Sequence, residues 1–145
     1  MNPFMKEALA EAQKAVEMGE VPVGAVLVKD KKIICRAHNL TETKKNPLAH
    51  AELLLIEKAF RVLDTHRLTG CSLYVTLEPC PMCAGAIRLA RPDRVYFGAY
   101  DTIVGACGGK IDVLSDTPIE VYGGIMEQET GAILSDFFKN VRKMQ

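Results

Sequence analysis

Two short segments, thirty residues apart, carry metal-ligand chemistry, and each stands at the start of a helical pattern. The first is His50-Ala51-Glu52; the second is Pro79-Cys80-Pro81-Met82-Cys83. A chain that brings one histidine and two cysteines onto one ion must bring two helix starts to one place. This restricts the fold more than composition does. Cys80 and Cys83 are three apart, so one helical turn can present both sulfurs to a single ion. Pro81, between them, suits a first helical turn. The thiolates would lie at a helix N-terminus, where free N–H groups and the macrodipole favour negative charge. His50 supplies a third ligand. Three protein ligands leave a tetrahedral zinc one position for water, the arrangement of a reactive rather than a closed structural site. Two thiolates formally cancel the charge of the ion, so a nearby base is needed, and Glu52 is the candidate. Residues two apart do not share a helix face. His50 and Glu52 therefore converge only if the ion lies beyond the helix end.

The rest of the chain supplies a scaffold for such a site. Apolar positions Met5, Leu9, Ala12 and Val16 predict a helix over about 3–18, stopped by Gly19. Val21 to Val28 is a near-continuous apolar run, as for a strand buried on both faces. A charged turn over 29–32 leads to a hairpin partner at 33–37. Residues 39–47 form a polar loop with Lys44 and Lys45. An apolar core helix follows at 51–63, a strand at 72–77, the second motif helix at 81–90 and a strand at 94–99. A glycine-rich loop at 105–109 and a short strand at 119–122 precede a last helix over 127–144, with Ile133, Leu134, Phe137, Phe138 and Val141 inward. Strands alternating with helices give an α/β fold in layers, and strand 72–77 places Glu78 to Cys80 at the sheet edge favoured by ligand sites. The 145 residues fit one domain spanning 1–145, and 48% hydrophobic residues suffice for a continuous core.

Eighteen basic and eighteen acidic residues balance, so any RNA contact has to come from a local patch. The N-terminus does not read as a signal peptide, and no apolar stretch reaches the length of a membrane span. Five cysteines, two of them wanted as thiolates, point to a reducing compartment. A soluble cytoplasmic protein is expected. Cys35 and Cys71 read as small core hydrophobes, His38 as a strand-end residue and His66 as a surface-turn residue.

His-x-Glu followed by Pro-Cys-x-x-Cys resembles the signature of the zinc nucleobase deaminases. The resemblance extends further. Val21 to Val28, Ala49-His50-Ala51-Glu52, Leu73 to Ile87 and Leu134-Ser135-Asp136-Phe137-Phe138 are together similar to the bacterial tRNA-specific adenosine deaminases, over about 5–143. That family implies a cytidine-deaminase-like fold, a three-layer α/β/α sandwich with a five-stranded mixed sheet. It implies one zinc per subunit held by His50, Cys80 and Cys83, with Glu52 as the proton shuttle. It also implies that Asn39 contacts the target nucleoside, that the backbone N–H of Ala51 touches the base, that Val23 walls the pocket, and that Asp101 lies near bound RNA. The implied reaction is hydrolytic conversion of adenosine to inosine at the wobble position of a tRNA anticodon, by a homodimer that builds the RNA surface.

Two segments depart from the family pattern. Ser115-Asp116-Thr117-Pro118 is shorter than the usual loop and lacks its Asn-His pair, and Thr130-Gly131 stands where Cys-Ala is usual. Arg91-Pro92 after the second motif helix is similar to the small guanine deaminases, which share the signature. Two other readings therefore stand beside tRNA editing: a deaminase of free guanine, cytosine or a nucleoside, and a non-catalytic zinc-stabilised RNA-binding module. Cys107 sits in the glycine-rich loop, and Lys139, Arg142 and Lys143 give the last helix a basic end open to solvent or to RNA phosphate.

Overall fold

The structure, a computed structural model, describes residues 2–143. Its elements in chain order are α1 (Pro3–Glu17), β1 (Gly24–Lys29), β2 (Lys32–His38), α2 (Ala51–Leu63), β3 (Cys71–Leu77), α3 (Pro81–Ala90), β4 (Arg94–Ala99), β5 (Glu120–Tyr122) and α4 (Glu127–Lys143). Asn2 starts α1 by accepting hydrogen bonds from the N–H groups of Phe4 and Met5, with Pro3 in the first turn. The β1–β2 hairpin turns on Asp30 and Lys31, both at positive φ (51° and 63°), as a two-residue turn matched to strand twist requires. α2 and α3 end on residues in the left-handed conformation, Asp64 and Arg91, with Pro92 following the second where it cannot continue the helix.

The sheet order is β2-β1-β3-β4-β5. β1 runs antiparallel to β2 and β3, while β3, β4 and β5 are parallel. This is the expected mixed five-stranded sheet. Leu27, Leu73, Val75, Val95 and Phe97 on one face pack with Leu55, Ile56 and Ala59 of α2 and with Ala84 and Ile87 of α3. Val26, Val28 and Tyr74 on the other face pack with Met5 and Ala8 of α1. α4 joins α1 on that second face, where Thr130 fits against Gly98 of β4; a methyl at Gly98 would lie 2.4 Å from the Thr130 hydroxyl oxygen. The two crossovers on the first face carry both motif helices to the C-terminal edge of β3.

Several local readings need correction. β1 begins at Gly24, not Val21, because Pro22 has no N–H to give a ladder. The seam of α1 is Met5, Ala8, Ala12 and Ala15, with Leu9 and Val16 only half-buried. Opposite Gly24, α1 lies so close to β1 that only the small Ala8 and Ala12 fit, while Met5 fills the space one turn away. Phe138 is exposed and the other apolar positions of α4 are half-buried, because this helix meets the sheet mainly through its first turns. The expected helix end at Met144 lies outside the described residues. Cys71 is buried, Cys35 is half-buried with its thiol near the Leu55 carbonyl, His38 ends β2, and His66 is exposed in a turn. No described helix is long and apolar enough to cross a membrane.

Candidate active site

The two motifs meet where α2 and α3 begin. His50 is not inside α2 but caps it, with extended backbone (φ −73°, ψ 150°). Cys80 caps α3 in the same way, and Cys83 lies one turn in. The capping conformation swings both side chains past the helix ends, so the ligand atoms gather in front of two N-termini. His50 Nδ1 lies 3.7 Å from Cys80 Sγ and 3.5 Å from Cys83 Sγ, and all ligand atoms lie within 4.8 Å of one another. Zinc–nitrogen and zinc–sulfur bonds of about 2.0 and 2.3 Å at tetrahedral angles place nitrogen and sulfur ligands roughly 3.5 Å apart. The residues fit a tetrahedral zinc with three protein ligands.

Glu52, in the first turn of α2, is buried at 4% exposure, and its carboxyl lies within hydrogen-bond reach of the Cys83 thiol. The sequence demanded that His50 and Glu52 converge beyond the helix end, and capping achieves it. Burial pushes the Glu52 carboxyl up to about 7, opposed by its own backbone N–H and by His50. The hydrogen bond from Cys83 leads in bringing the Cys80 thiol down to about 4, with His50 adding to it. That same bond, together with burial, holds Cys83 up, and the contact with Cys80 raises His50. The buried Glu52 carboxyl beside these ligands is thus able to carry a proton near neutral pH.

Around this centre Asn39 and Ala51 are brought together, but onto each other. The Ala51 N–H donates to Asn39 Oδ1 at 2.9 Å, so the amide expected to touch a base is already satisfied in this structure. The bond holds the polar loop to the start of α2 and turns the Asn39 NH₂ group away from Ala51. Val23 is buried, and its carbonyl accepts the Asn39 N–H at 3.1 Å. Asp101 follows β4, and its Oδ1 accepts from the N–H groups of Ile103 and Val104 at 3.0 and 3.1 Å. Cys107 is buried in the loop after β4, its thiol pushed up to about 12 by that burial.

Two functional candidates escaped the sequence reading. Glu20 is fully buried, and its carboxylate gathers the N–H groups of Glu42 and Thr43 and the hydroxyls of Thr41 and Thr43. Glu78 does the same for the loop after β4. The available signal was a single acid embedded in an apolar or cysteine motif beside a polar loop. Elsewhere, a groove of about 600 Å³ lies between the end of α3 and residues 116–120, at the opposite end of β4. Its Arg88 and Arg94 are paired with Asp116 and Glu120, so those cations are neutralised and no reactive cluster faces it.

Residues 1–99 match the cytidine and deoxycytidylate deaminase zinc-binding region. A tRNA-specific adenosine deaminase of Bacillus subtilis (strain 168) is 52% identical over 144 residues, 97% of this chain and 89% of the relative. A solved structure from studies of A-to-I editing by tRNA:A34 deaminases at the wobble position superposes with a TM-score of 0.85 at 44% identity, covering 90% of this chain and 98% of that one. A guanine deaminase structure from Bacillus subtilis gives a TM-score of 0.66 at 45% identity, over 70% of this chain and 67% of that one.

Proposed function

We propose the reaction from the family to which the chain belongs, the zinc-dependent cytidine and deoxycytidylate deaminases: hydrolytic deamination of adenosine to inosine at the wobble position of a tRNA anticodon. The observation that carries the chemistry is the gathering of His50 Nδ1, Cys80 Sγ and Cys83 Sγ before two helix N-termini, with buried Glu52 beside them. The observation that carries the substrate is near-full-length similarity to a tRNA-specific adenosine deaminase, against a shorter and looser match to a guanine deaminase.

His50, Cys80 and Cys83 would hold the zinc, which when bound supplies a Lewis acid that makes water nucleophilic near neutral pH. Glu52 takes a proton from the water that attacks C6 of the adenine. The same carboxyl delivers that proton to the ring nitrogen, then takes the proton of the new C6 hydroxyl and passes it to the departing amine, so ammonia leaves and inosine remains. Its burial keeps solvent from competing for that proton. Asn39, oriented by the Ala51 N–H, offers its NH₂ group to the nucleoside, Val23 backs the pocket, and Asp101 sits on the RNA side. An anticodon loop suits such a site because its base can be splayed out without melting a duplex.

A homodimer in the cytoplasm belongs to the same proposal. Five free cysteines suit a reducing compartment, and Leu89, about four-fifths exposed, is an apolar side chain that a second copy would cover. Light scattering on the zinc-loaded protein tests the dimer. The deciding assay measures inosine in an anticodon stem-loop beside product from free guanine and cytosine. Inosine in the RNA alone is expected; turnover of a free base with none in the RNA overturns the assignment.

A further inference from the structure

We propose that Glu78 is a positioning residue that sets the wall of the active site meeting the RNA, a role that rests on the tRNA reading above. Glu78 is 2% exposed at the end of β3, two residues before Cys80. Among the described residues it makes no ion pair. A buried carboxylate without a cation is costly unless hydrogen bonds replace its water. Here the replacement comes from one loop. The N–H of Asp101 donates to Oε1 at 2.9 Å, and those of Cys107 and Gly109 donate to Oε2 at 2.9 and 2.6 Å. Two glycines let the loop wrap the carboxylate this closely: a methyl at Gly105 or Gly109 would lie 2.4 or 2.2 Å from Oε1. N–H groups from three separate points of one loop, turned onto one anion, make a pocket that works like an anion-binding nest, and in this case the anion is built into the chain.

The nest is joined to the metal end of the site. The Ala106 N–H donates to the Pro79 carbonyl at 2.8 Å, so the peptide between Glu78 and Cys80 carries both the loop and the ligand. On its outer side the same loop exposes Ile103, Val104 and Ile111, apolar groups that the core does not use. Nucleotides flanking the target base would cover that apolar surface when the RNA is bound. Glu78 therefore fixes where the loop stands relative to the metal ligands without touching substrate.

Glu78→Gln tests this. The amide keeps one acceptor oxygen and turns an NH₂ toward N–H groups that had been accepted, so at least one bond is lost. With zinc content unchanged, KM for an anticodon stem-loop is expected to rise at least about tenfold while kcat stays within roughly threefold. Hydrogen exchange at the amides of 101, 107 and 109 is expected to accelerate. Gly109→Ala displaces the loop while leaving the carboxylate in place, and covers the case in which the first variant fails to fold; the same KM-selective loss is expected. Loss of zinc in step with activity, or a fall in kcat with KM unchanged, would show that Glu78 acts through Cys80 and overturn the proposal. Wild-type protein making no inosine would sink the assigned reaction, and unchanged amide exchange in both variants would separately refute the loop role.

Discussion

At the scale of single residues, the proposed reaction makes turnover depend on Glu52. It is buried, adjacent to Cys83, and placed by the first turn of α2. Glu52→Gln preserves its volume but removes its ability to take a proton. Zinc stoichiometry and folding should be retained, with kcat down by about 10³-fold, near the middle of the range for losing general acid–base catalysis; ammonia release and metal analysis check both halves. Removing the metal with a chelator should abolish activity, lower the melting temperature and be reversed by added zinc, since an ion bound only by the folded state stabilises it by mass action. The ligands and Glu52 were legible in sequence because metal chemistry needs particular side chains at fixed spacing. Glu20 and Glu78 were not, because their partners are mostly backbone N–H groups that no residue letter reveals. The partner of the Ala51 amide, the Asn39 oxygen, was hidden for the same reason: it is set by tertiary placement.

At the scale of elements, close approach governs what each position tolerates. A methyl at Gly24 would lie 2.1 Å from the Ala8 carbonyl oxygen and 2.4 Å from the Ala12 nitrogen. Both are backbone atoms, so relief requires α1 to move off β1. Gly24→Ala should destabilise the protein by about 1–3 kcal/mol, the usual cost of overpacking. Gly85, inside α3, meets nothing within 4 Å of its added methyl, and Gly85→Ala should stabilise by about 0.5–1 kcal/mol through helix propensity. Denaturant titration of the two variants should give opposite signs, and a common sign would refute the packing account of Gly24. Elements were legible where periodicity and burial agree, as in β1 and α2. They misled in α4, whose apolar stripe promised deeper burial than its contact through Thr130 and Gly98 allows.

At the scale of the whole molecule, both loops flanking the metal end are folded around buried carboxylates. Glu78 holds the loop after β4, and Glu20 holds the loop that delivers the chain to His50. Fold stability and site geometry are therefore linked through acid groups remote from the ion. Burial works to raise the Glu20 carboxyl, but the hydrogen bonds from Thr43, Glu42 and Thr41 together outweigh it and hold the group below its ordinary value of 4.5. A carboxyl with a lowered folded pKa contributes stability that is fully present above its unfolded pKa and disappears as pH falls through the folded one. Glu20→Gln should accordingly be less stable than the parent by about 1.5–3 kcal/mol at pH 7, the worth of hydrogen bonds to a charged group. The gap should begin to shrink near pH 4.5 and close further below it, where the parent's carboxyl is itself protonated. Paired melting curves from pH 7 down to about pH 3 isolate this group, because the other acids titrate alike in both proteins. A gap independent of pH would mean that Glu20 contributes shape and not charge, and that the 41–43 loop is held by packing.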